Sequence, residues 1–169
     1  VWIGSNGLGA FRYNDSDDTF TQYLGDGTGN ISLAGKNIYT ICHDNDHIII
    51  GIHEEKLLKL DKRRNILKEM NVPDVNYKII RYVTIINDDE IWVGTQAGLY
   101  IINEKTQTVD HVKEDPLNNH SLSDNKIEKI YKDREGGIWV GTNFGGVNYL
   151  PNRNNKFEKY FPTSEPGSL

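Results

Sequence analysis

A short run of strand-forming residues that contains a glycine returns four times along this chain. The four glycines, Gly4, Gly51, Gly94 and Gly141, are separated by 47, 43 and 47 positions. Their phrases are Val1-Trp2-Ile3-Gly4-Ser5, Ile48-Ile49-Ile50-Gly51-Ile52, Ile91-Trp92-Val93-Gly94-Thr95 and Ile138-Trp139-Val140-Gly141-Thr142. A near-constant period of this length in strand-type sequence is typical of β-propeller blades rather than helical solenoids.

The sequence around each glycine predicts four strands per repeat. The first is an alternating apolar run that ends in an acidic or amide turn, as from Lys126 to Asp133. The second strand is the phrase itself, and the third follows a glycine-bearing loop. The fourth carries two large apolar residues three positions apart: Phe20 and Tyr23, Leu67 and Met70, Val109 and Val112, Phe157 and Tyr160. Short turns rich in Asp, Asn and Gly separate these strands, as antiparallel hairpins require.

These elements predict an all-β fold: a β-propeller fragment of about four blades, each a four-stranded antiparallel sheet. Residues 1–24 form an incomplete blade without its first strand, and complete blades span 37–70, 77–113 and 126–161. We expect the chain to be a piece of a longer protein, because the repeat is interrupted at both ends. A closed ring needs at least four blades, and this chain has three complete blades and one incomplete blade. We therefore expect bare apolar blade faces at both ends of the fragment and self-association through them.

Composition excludes several classes of partner. The 169 residues carry a formal net charge of -5, which argues against nucleic acid and against contact of this segment with an anionic membrane surface. The one cysteine, Cys42, cannot build a disulfide framework, so stability must come from packing. No apolar run approaches the roughly 20 residues that a membrane helix needs.

The phrase residues are expected to be structural. A glycine within a strand lets a neighbouring backbone or aromatic ring approach closely, which is the role predicted for Gly4, Gly51, Gly94 and Gly141. The three tryptophans, Trp2, Trp92 and Trp139, are expected to fill the space between blades.

The loops between the second and third strands are the candidate ligand-binding elements. They contain Asn6, Gln96 and Asn143, whose amides both donate and accept hydrogen bonds, and Phe144, which offers an apolar face. This combination suits the hydroxyls and C–H surfaces of a sugar. The alternative is that these are ordinary turn residues, chosen for their backbone conformations.

No catalytic or metal-binding pattern emerges. The five histidines, His43, His47, His53, His111 and His120, do not have metal-ligand spacing. The acidic segment from Asn14 to Asp18 lacks the glycine and distal glutamate of a calcium loop, which favours a hairpin turn. We therefore expect no catalytic residue, no metal and no cofactor in this segment.

The repeat also resembles a known family. The pattern Asn-x-Ile-x-x-Ile-x-x-Asp, a short turn, Ile-Trp-Val-Gly-Thr and then Gly-Gly-Val is similar to the two-component regulator propeller repeat, and residues Asn125 to Tyr149 match it best. In the unit from Asn37 to Gly51, Ile49 replaces the tryptophan and His53-Glu54-Glu55 replaces the glycine loop.

The resemblance implies a role as well as a fold. Such repeats form propellers in the periplasmic sensor region of hybrid two-component proteins, and some of these proteins detect oligosaccharides. It implies a non-catalytic sensor segment whose parent carries a membrane helix, a histidine kinase and a response-regulator portion. Two alternatives stay open: a scaffold propeller that binds proteins or its own copy, and a propeller enzyme, which the amide- and glycine-rich loops disfavour.

Overall fold

The structure is a computed structural model that describes residues 1–28, 31–53, 56–70, 72 and 79–152, and the backbone of 158–160. Over this part of the chain all regular structure is β-strand, and no helix occurs. A helix long and apolar enough to cross a membrane is therefore not found among the described residues.

Fifteen strands form four antiparallel sheets, in each of which chain neighbours are hydrogen-bonded neighbours. Sheet 1 comprises β1 (Trp2–Gly4), β2 (Ala10–Asn14) and β3 (Thr19–Tyr23). Sheet 2 comprises β4 (Ile38–His43), β5 (His47–Ile52), β6 (Leu57–Asp61) and β7 (Ile66–Glu69). Sheet 3 comprises β8 (Ile80–Asn87), β9 (Glu90–Thr95), β10 (Gly98–Asn103) and β11 (Thr108–Val112). Sheet 4 comprises β12 (Ile127–Lys132), β13 (Ile138–Thr142), β14 (Val147–Leu150) and β15 (Glu158–Tyr160).

One three-stranded meander followed by three four-stranded meanders confirms the predicted propeller fragment of about four blades. The segment from Asn14 to Asp18 lies at the turn between β2 and β3. The predicted blade ends at residues 77 and 161, the residues Glu54 and Glu55, and Phe157 lie outside the described residues.

The chain divides into two compact units, residues 1–85 and 86–169, and the division falls within β8. The first unit has a core cluster built mainly from the apolar face of sheet 2: Ala10, Leu33, Ile38, Ile48, Ile50, Ile52, Leu58, Leu60 and Leu67. The second unit buries the apolar residues of β9, β10, β12 and β13, among them Val93, Leu99, Tyr100, Ile130 and Val140. Leu33 and Leu122, which lie in the long connections between blades, are fully buried, one in each unit.

At three of the four phrase glycines, a side chain from the first strand of a sheet packs closely against the glycine. A Cβ built on Gly4 would lie 2.6 Å from Cγ2 of Ile38, and one on Gly94 would lie 2.6 Å from Cγ2 of Ile127. At Gly51 the nearest atoms are the methyls of Thr40, at 2.5 Å, and Ile80, at 3.0 Å. The first strands of sheets 2, 3 and 4, namely β4, β8 and β12, are here called the inner strands. A side-chain methyl of an inner strand, rather than a backbone or an aromatic ring, is thus the group nearest these three glycines.

Gly141 has different surroundings. Among the described residues, a Cβ at this position would meet only Lys129 of its own sheet, at 3.8 Å from the carbonyl oxygen. This distance is an ordinary van der Waals contact. The face of sheet 4 that carries Gly141 therefore has room where the other three have a neighbour.

A β-bulge explains how the inner strands β4 and β12 each place two isoleucines on the same face of their sheet. The pairing of β4 with β5 shifts between Ile38 and Thr40, and that of β12 with β13 shifts between Ile127 and Lys129. A bulge adds one residue to one strand, so residues three apart, rather than two, point to the same face. The Ile-x-x-Ile spacing in the sequence is the signature of this bulge.

The three tryptophans occupy corresponding positions with different exposure. Trp2 is partly buried and meets Tyr23 edge-on, with ring centroids 5.2 Å apart. Trp92 is 2% exposed, and its indole N–H donates to Glu90 Oε1. Trp139 is 37% exposed and packs on Tyr149 with centroids 4.4 Å apart.

Candidate functional site

The four predicted ligand-binding residues all lie on loops between second and third strands, and all four are solvent-exposed. Asn6 lies between β1 and β2, Gln96 between β9 and β10, and Asn143 and Phe144 between β13 and β14. Whether they bind a ligand stays a prediction, but their side chains are accessible to one.

Each of these loops is closed by the hydroxyl residue that follows the phrase glycine. Its Oγ donates to the carbonyl of a loop glycine: Ser5 to Gly9 at 2.6 Å, Thr95 to Gly98 at 2.8 Å and Thr142 to Gly146 at 3.0 Å. Gly98 and Gly146 have φ of 118° and 75°, a backbone conformation in which residues other than glycine are strained. Sequence reasoning missed this closure, although a Ser or Thr follows the glycine in three of the four phrases.

In the second unit, one short segment joins two of the loops. The segment Asp124–Lys126 leads into β12, and the carbonyl of Asn125 accepts the backbone N–H of Gly98 at 2.7 Å. The carbonyl of Lys126 accepts the N–H of Asn143 at 2.9 Å. The Gln96 loop and the Asn143–Phe144 loop therefore meet the same three residues; we call this set the loop cluster.

Phe144 is the most accessible apolar group of the loop cluster. Its ring is 83% exposed, yet its backbone N–H donates to Asp124 Oδ2 at 3.0 Å, so the carboxylate fixes the loop from beneath. The Lys126 ammonium lies 5.4 Å from the ring centroid, within cation–π range. The result is an aromatic face with a cation at its side and an amide, Asn143, next to it.

A buried amide supports the loop cluster, and no sequence pattern singles it out. Asn148 is fully buried in β14, and its Oδ1 accepts the N–H of Ser123 at 3.0 Å. Its Nδ2 donates to Ser123 Oγ at 2.9 Å and to the Val140 carbonyl at 3.3 Å. The side chain thus ties the connection directly before Asp124 to the sheet.

The Gln96 loop has its own support from β11. His111 Nε2 lies 2.8 Å from the Ala97 carbonyl oxygen, which can only accept, so this nitrogen carries the proton. The His111 ring stacks on Tyr100 with centroids 3.9 Å apart. The aromatic stack therefore fixes the carbonyl directly after Gln96.

The Asn6 loop belongs to the first unit and is held in a related way. The N–H of Gly9 donates to the Lys36 carbonyl at 3.2 Å, and the N–H of Ile38 donates to the Ser5 carbonyl at 2.9 Å. Gln22 Nε2 donates to the Leu8 carbonyl at 2.7 Å. The loop before each inner strand is thus tied to the loop of the preceding blade in both units.

The first unit also contains a pocket of about 210 Å³ beside the turn between β6 and β7. Its one carboxylate, Asp61, accepts the N–H groups of Arg63 and Arg64, both at 2.9 Å, and these bonds lower its pKa. The carboxylate therefore stabilises the turn between β6 and β7. The lining residues are His47, Lys59, Asp61, Arg64, Ile66 and Lys68.

The carboxylate of the loop cluster is that of Asp124, and it accepts the N–H of Phe144 at 3.0 Å. Across the described residues, no three His, Cys, Asp or Glu side chains group closely enough to hold a metal ion. The side chains of the loop cluster include amides, an aromatic ring, one ammonium and the Asp124 carboxylate, which together can bind polar and apolar surfaces. The expectation that this segment has no catalytic residue and no cofactor stays a prediction.

Comparison with known proteins finds a family match that overlaps the fourth repeat. The profile of the two-component regulator propeller matches residues 121–144, which include the loop cluster residues Asp124 to Lys126, Asn143 and Phe144. A histidine kinase, P4, of Formosa agariphila is 25% identical over 163 residues. That match covers 92% of this chain but 12% of the kinase, so the chain spans a small part of that relative.

Solved structures agree on the fold. The extracellular domain described as part of a hybrid two-component system of B. thetaiotaomicron aligns with a TM-score of 0.74 at 21% identity, over 95% of this chain and 22% of that one. PorZ, a surface component of the type-IX secretion system of Porphyromonas gingivalis, aligns with a TM-score of 0.66 at 20% identity, over 90% and 23%. The chain is a β-propeller segment, and its residues 121–144 match the profile of the two-component regulator propeller.

Proposed function

We propose that this chain is a segment of the extracytoplasmic sensor propeller of a hybrid two-component signalling protein, and that it detects an oligosaccharide or relays its binding. The loop cluster is the proposed contact. Two facts support the sensor role: the family profile matches residues 121–144, which include the first two strands of the fourth repeat, and part of a histidine kinase resembles 92% of this chain.

One observation carries the ligand proposal: an exposed aromatic ring on a loop whose backbone is held by hydrogen bonds. Large aromatic side chains are usually buried, whereas Phe144 projects into solvent from a loop fixed by Asp124 and by the backbone of Lys126. A fixed aromatic face loses little conformational entropy on binding. It suits the C–H face of a pyranose ring.

The neighbouring groups match the edges of a sugar. Asn143 and Gln96 each offer a donor and an acceptor, and Lys126 adds a donor beside the ring. Because both loops are tied to the segment Asp124–Lys126, a ligand that bridges them would contact two neighbouring blades. A relay requires such a ligand to bind two arrangements of the protein with different affinity.

The direct test is calorimetric titration of the chain, and in parallel of the whole extracytoplasmic region that contains it, with a panel of neutral and acidic oligosaccharides. We expect at least one glycan to bind. Phe144→Ala should then raise the dissociation constant about five- to tenfold, which corresponds to an aromatic contribution of about 1–1.5 kcal/mol.

Phe20→Ala is the matched control, since it removes another exposed aromatic ring from β3, away from any of the candidate loops. It should leave glycan affinity unchanged. Absence of heat with every glycan, from a chain whose circular dichroism is that of folded β-sheet, would contradict the oligosaccharide proposal.

A scaffold propeller without a small ligand is the second candidate. It is favoured by the exposed apolar groups on the faces of sheets 1 and 4, among them Ile3, Phe20, Tyr131 and Trp139. We propose no enzymatic role for this segment, while the parent protein is proposed to be a histidine kinase hybrid. Glycan titration separates the two candidates, because the scaffold predicts no binding heat.

A further inference from the structure

Sheet 2 has an apolar face and, on its opposite face, a basic patch close to the β7 edge. Side chains alternate between the two faces along a strand. Leu58 and Leu60 of β6 and Leu67 of β7 belong to the core cluster of the first unit. Lys59 of β6 and Lys68 of β7 therefore lie on the face that points away from this cluster.

The two lysines are direct neighbours across the strands. Lys59 pairs with Lys68, Asp61 pairs with Ile66, and His47 of β5 pairs with Asp61. These five side chains share one face of the sheet. Like charges that lie directly opposite each other destabilise a sheet, so an anion bound between the two ammonium groups would stabilise it.

The lysine pair is a property of sheet 2 rather than of the repeat. It lies next to Ile49, which replaces the tryptophan of the other phrases. The corresponding pairs in sheets 1, 3 and 4 are Arg12–Thr21, Ile101–Asp110 and Tyr149–Glu158. The blade that departs most from the family pattern has thus acquired a charge that the blade structure does not require.

The patch lines the pocket of about 210 Å³ in the first unit. Arg64 joins it from the turn between β6 and β7. Three cationic side chains, Lys59, Arg64 and Lys68, stand against one carboxylate, that of Asp61, which gives a formal charge of +2 with His47 neutral. A cleft lined by one sign of charge concentrates ions of the opposite sign. This chain has a net charge of -5, yet this pocket attracts anions.

Two carboxylates at the pocket already serve the structure. Glu69, at the end of β7, accepts a hydrogen bond from Lys56 Nζ at 2.6 Å. Asp61 holds the turn through Oδ1, and its Oδ2 lies 3.9 Å from Arg64 Nε, longer than a charge-assisted hydrogen bond. The Arg64 side chain is 77% exposed, so its guanidinium can turn towards a ligand.

We propose that this pocket is an anion-binding site, which takes a sulfate, a phosphate or the carboxylate of an acidic sugar. Ammonium groups bind oxyanions as point charges, and a guanidinium binds them through two parallel hydrogen bonds. Pockets for drug-sized ligands measure about 300–1,000 Å³, so this smaller one suits a small anion or one charged group of a larger ligand.

NMR titration of the isotope-labelled chain tests the site residue by residue. Sulfate, phosphate and glucuronate are each exchanged for chloride at constant ionic strength, because salt screens exposed charges. We expect saturable shifts of the backbone amides of Lys59, Ile66 and Lys68, with a dissociation constant of about 1 mM. Glucose should leave them unchanged. Binding of sulfate or phosphate alone supports a site for an inorganic anion, and binding of glucuronate supports one for an acidic sugar.

Two substitutions identify the binding groups. Lys59→Gln and Lys68→Gln each remove a cation and keep a polar side chain, and each should raise the dissociation constant about tenfold. Lys105→Gln is the matched control, since it makes the same change of charge on the exposed turn between β10 and β11. It should bind anions like the unaltered chain. Equal weakening by all three substitutions would mean that net charge, and not the pocket, attracts the anion, and would overturn the proposal.

The site is independent of the loop cluster, which belongs to the second unit. Phe144→Ala should therefore leave anion binding unchanged, and a failed glycan titration would not affect it. Loss of anion binding in Phe144→Ala would instead locate the anion at the loop cluster and contradict the proposal. So would the absence of saturable shifts at the pocket amides, in a chain whose spectrum is that of folded β-sheet.

Discussion

Sheets 3 and 4 carry the same five-residue phrase, Ile-Trp-Val-Gly-Thr, on the same strand of the meander, yet its environment differs between them. Trp92 is buried, and Ile127 of the following sheet lies beneath Gly94. Trp139 is exposed, and the space beside Gly141 is open. The difference teaches that the blade which follows, rather than the phrase itself, determines whether this part of the sequence becomes core.

The largest expected contrast is between alanine substitutions of the two tryptophans. Trp92→Ala should lower the free energy of unfolding by about 3–5 kcal/mol, since it leaves a large cavity in a packed region. Trp139→Ala should lower it by about 1 kcal/mol, since solvent already reaches the ring, which gives up its hydrogen bond to Asp133 and its contact with Tyr149. Urea denaturation at low protein concentration measures both values. Equal losses would show that the two sites are equivalent.

A second contrast concerns the strand position opposite the second residue of the phrase. Cys42 faces Ile49 across β4 and β5, as Tyr131 faces Trp139 across β12 and β13. Tyr131 is exposed, whereas burial raises the pKa of the Cys42 thiol to about 12. The thiolate is the reactive species, so the folded chain at pH 8 should react with a disulfide reagent at least about a hundredfold more slowly than the unfolded chain. Similar reaction rates in the folded and unfolded states would mean that the Cys42 thiol is accessible to solvent in the folded chain.

The smallest effect concerns the hydrogen bond that Trp139 keeps at the surface. Its indole N–H donates to Asp133 Oδ2 at 2.9 Å, while the N–H groups of Gly137 and Glu135 donate to Oδ1 at 2.7 and 3.0 Å. These bonds, with that of Trp139 the strongest cause, lower the pKa of Asp133 from 3.8. A lowered pKa contributes stability above pH 3.8, and this contribution is lost as the pH falls through the folded-state value.

Melting temperatures of the unaltered chain and of Asp133→Asn should therefore differ at pH 6 and converge as the pH is lowered towards 2.5. The substitution retains a group of the same size and removes the titration. A gap that stays constant over this range would show that Asp133 does not stabilise the fold through its charge.

Much of the fold could be predicted from the sequence because its cause is local. The β-branched runs around Ile41, Val93 and Val140 define strands, and the glycine period places them in repeats. The order of the strands likewise predicts that Asn143 and Phe144 lie on a loop between the second and third strands, where the structure has them. The Ile-x-x-Ile spacing is local too, but the β-bulge that it encodes is not among the predictions drawn from it.

The remaining features depend on contacts between residues distant in the chain. Asp124 holds the N–H of Phe144 across 20 positions, and Asn148 holds the N–H of Ser123 across 25. No local pattern distinguishes these polar residues from others on the surface. Likewise, the two identical phrases that contain Trp92 and Trp139 carry no local sign of which tryptophan is covered.

Paired valine substitutions of Gly94 and Gly141 test the central claim most directly, because the two glycines share their phrase and differ in what lies beside them. A Cβ at Gly94 would lie 2.6 Å from Ile127, whereas at Gly141 the nearest atom is 3.8 Å away. Urea unfolding at low protein concentration should show a loss of about 3 kcal/mol or more for Gly94→Val and a change within about 0.5 kcal/mol for Gly141→Val. Equal destabilisation by both substitutions would contradict the account of one blade receiving the next.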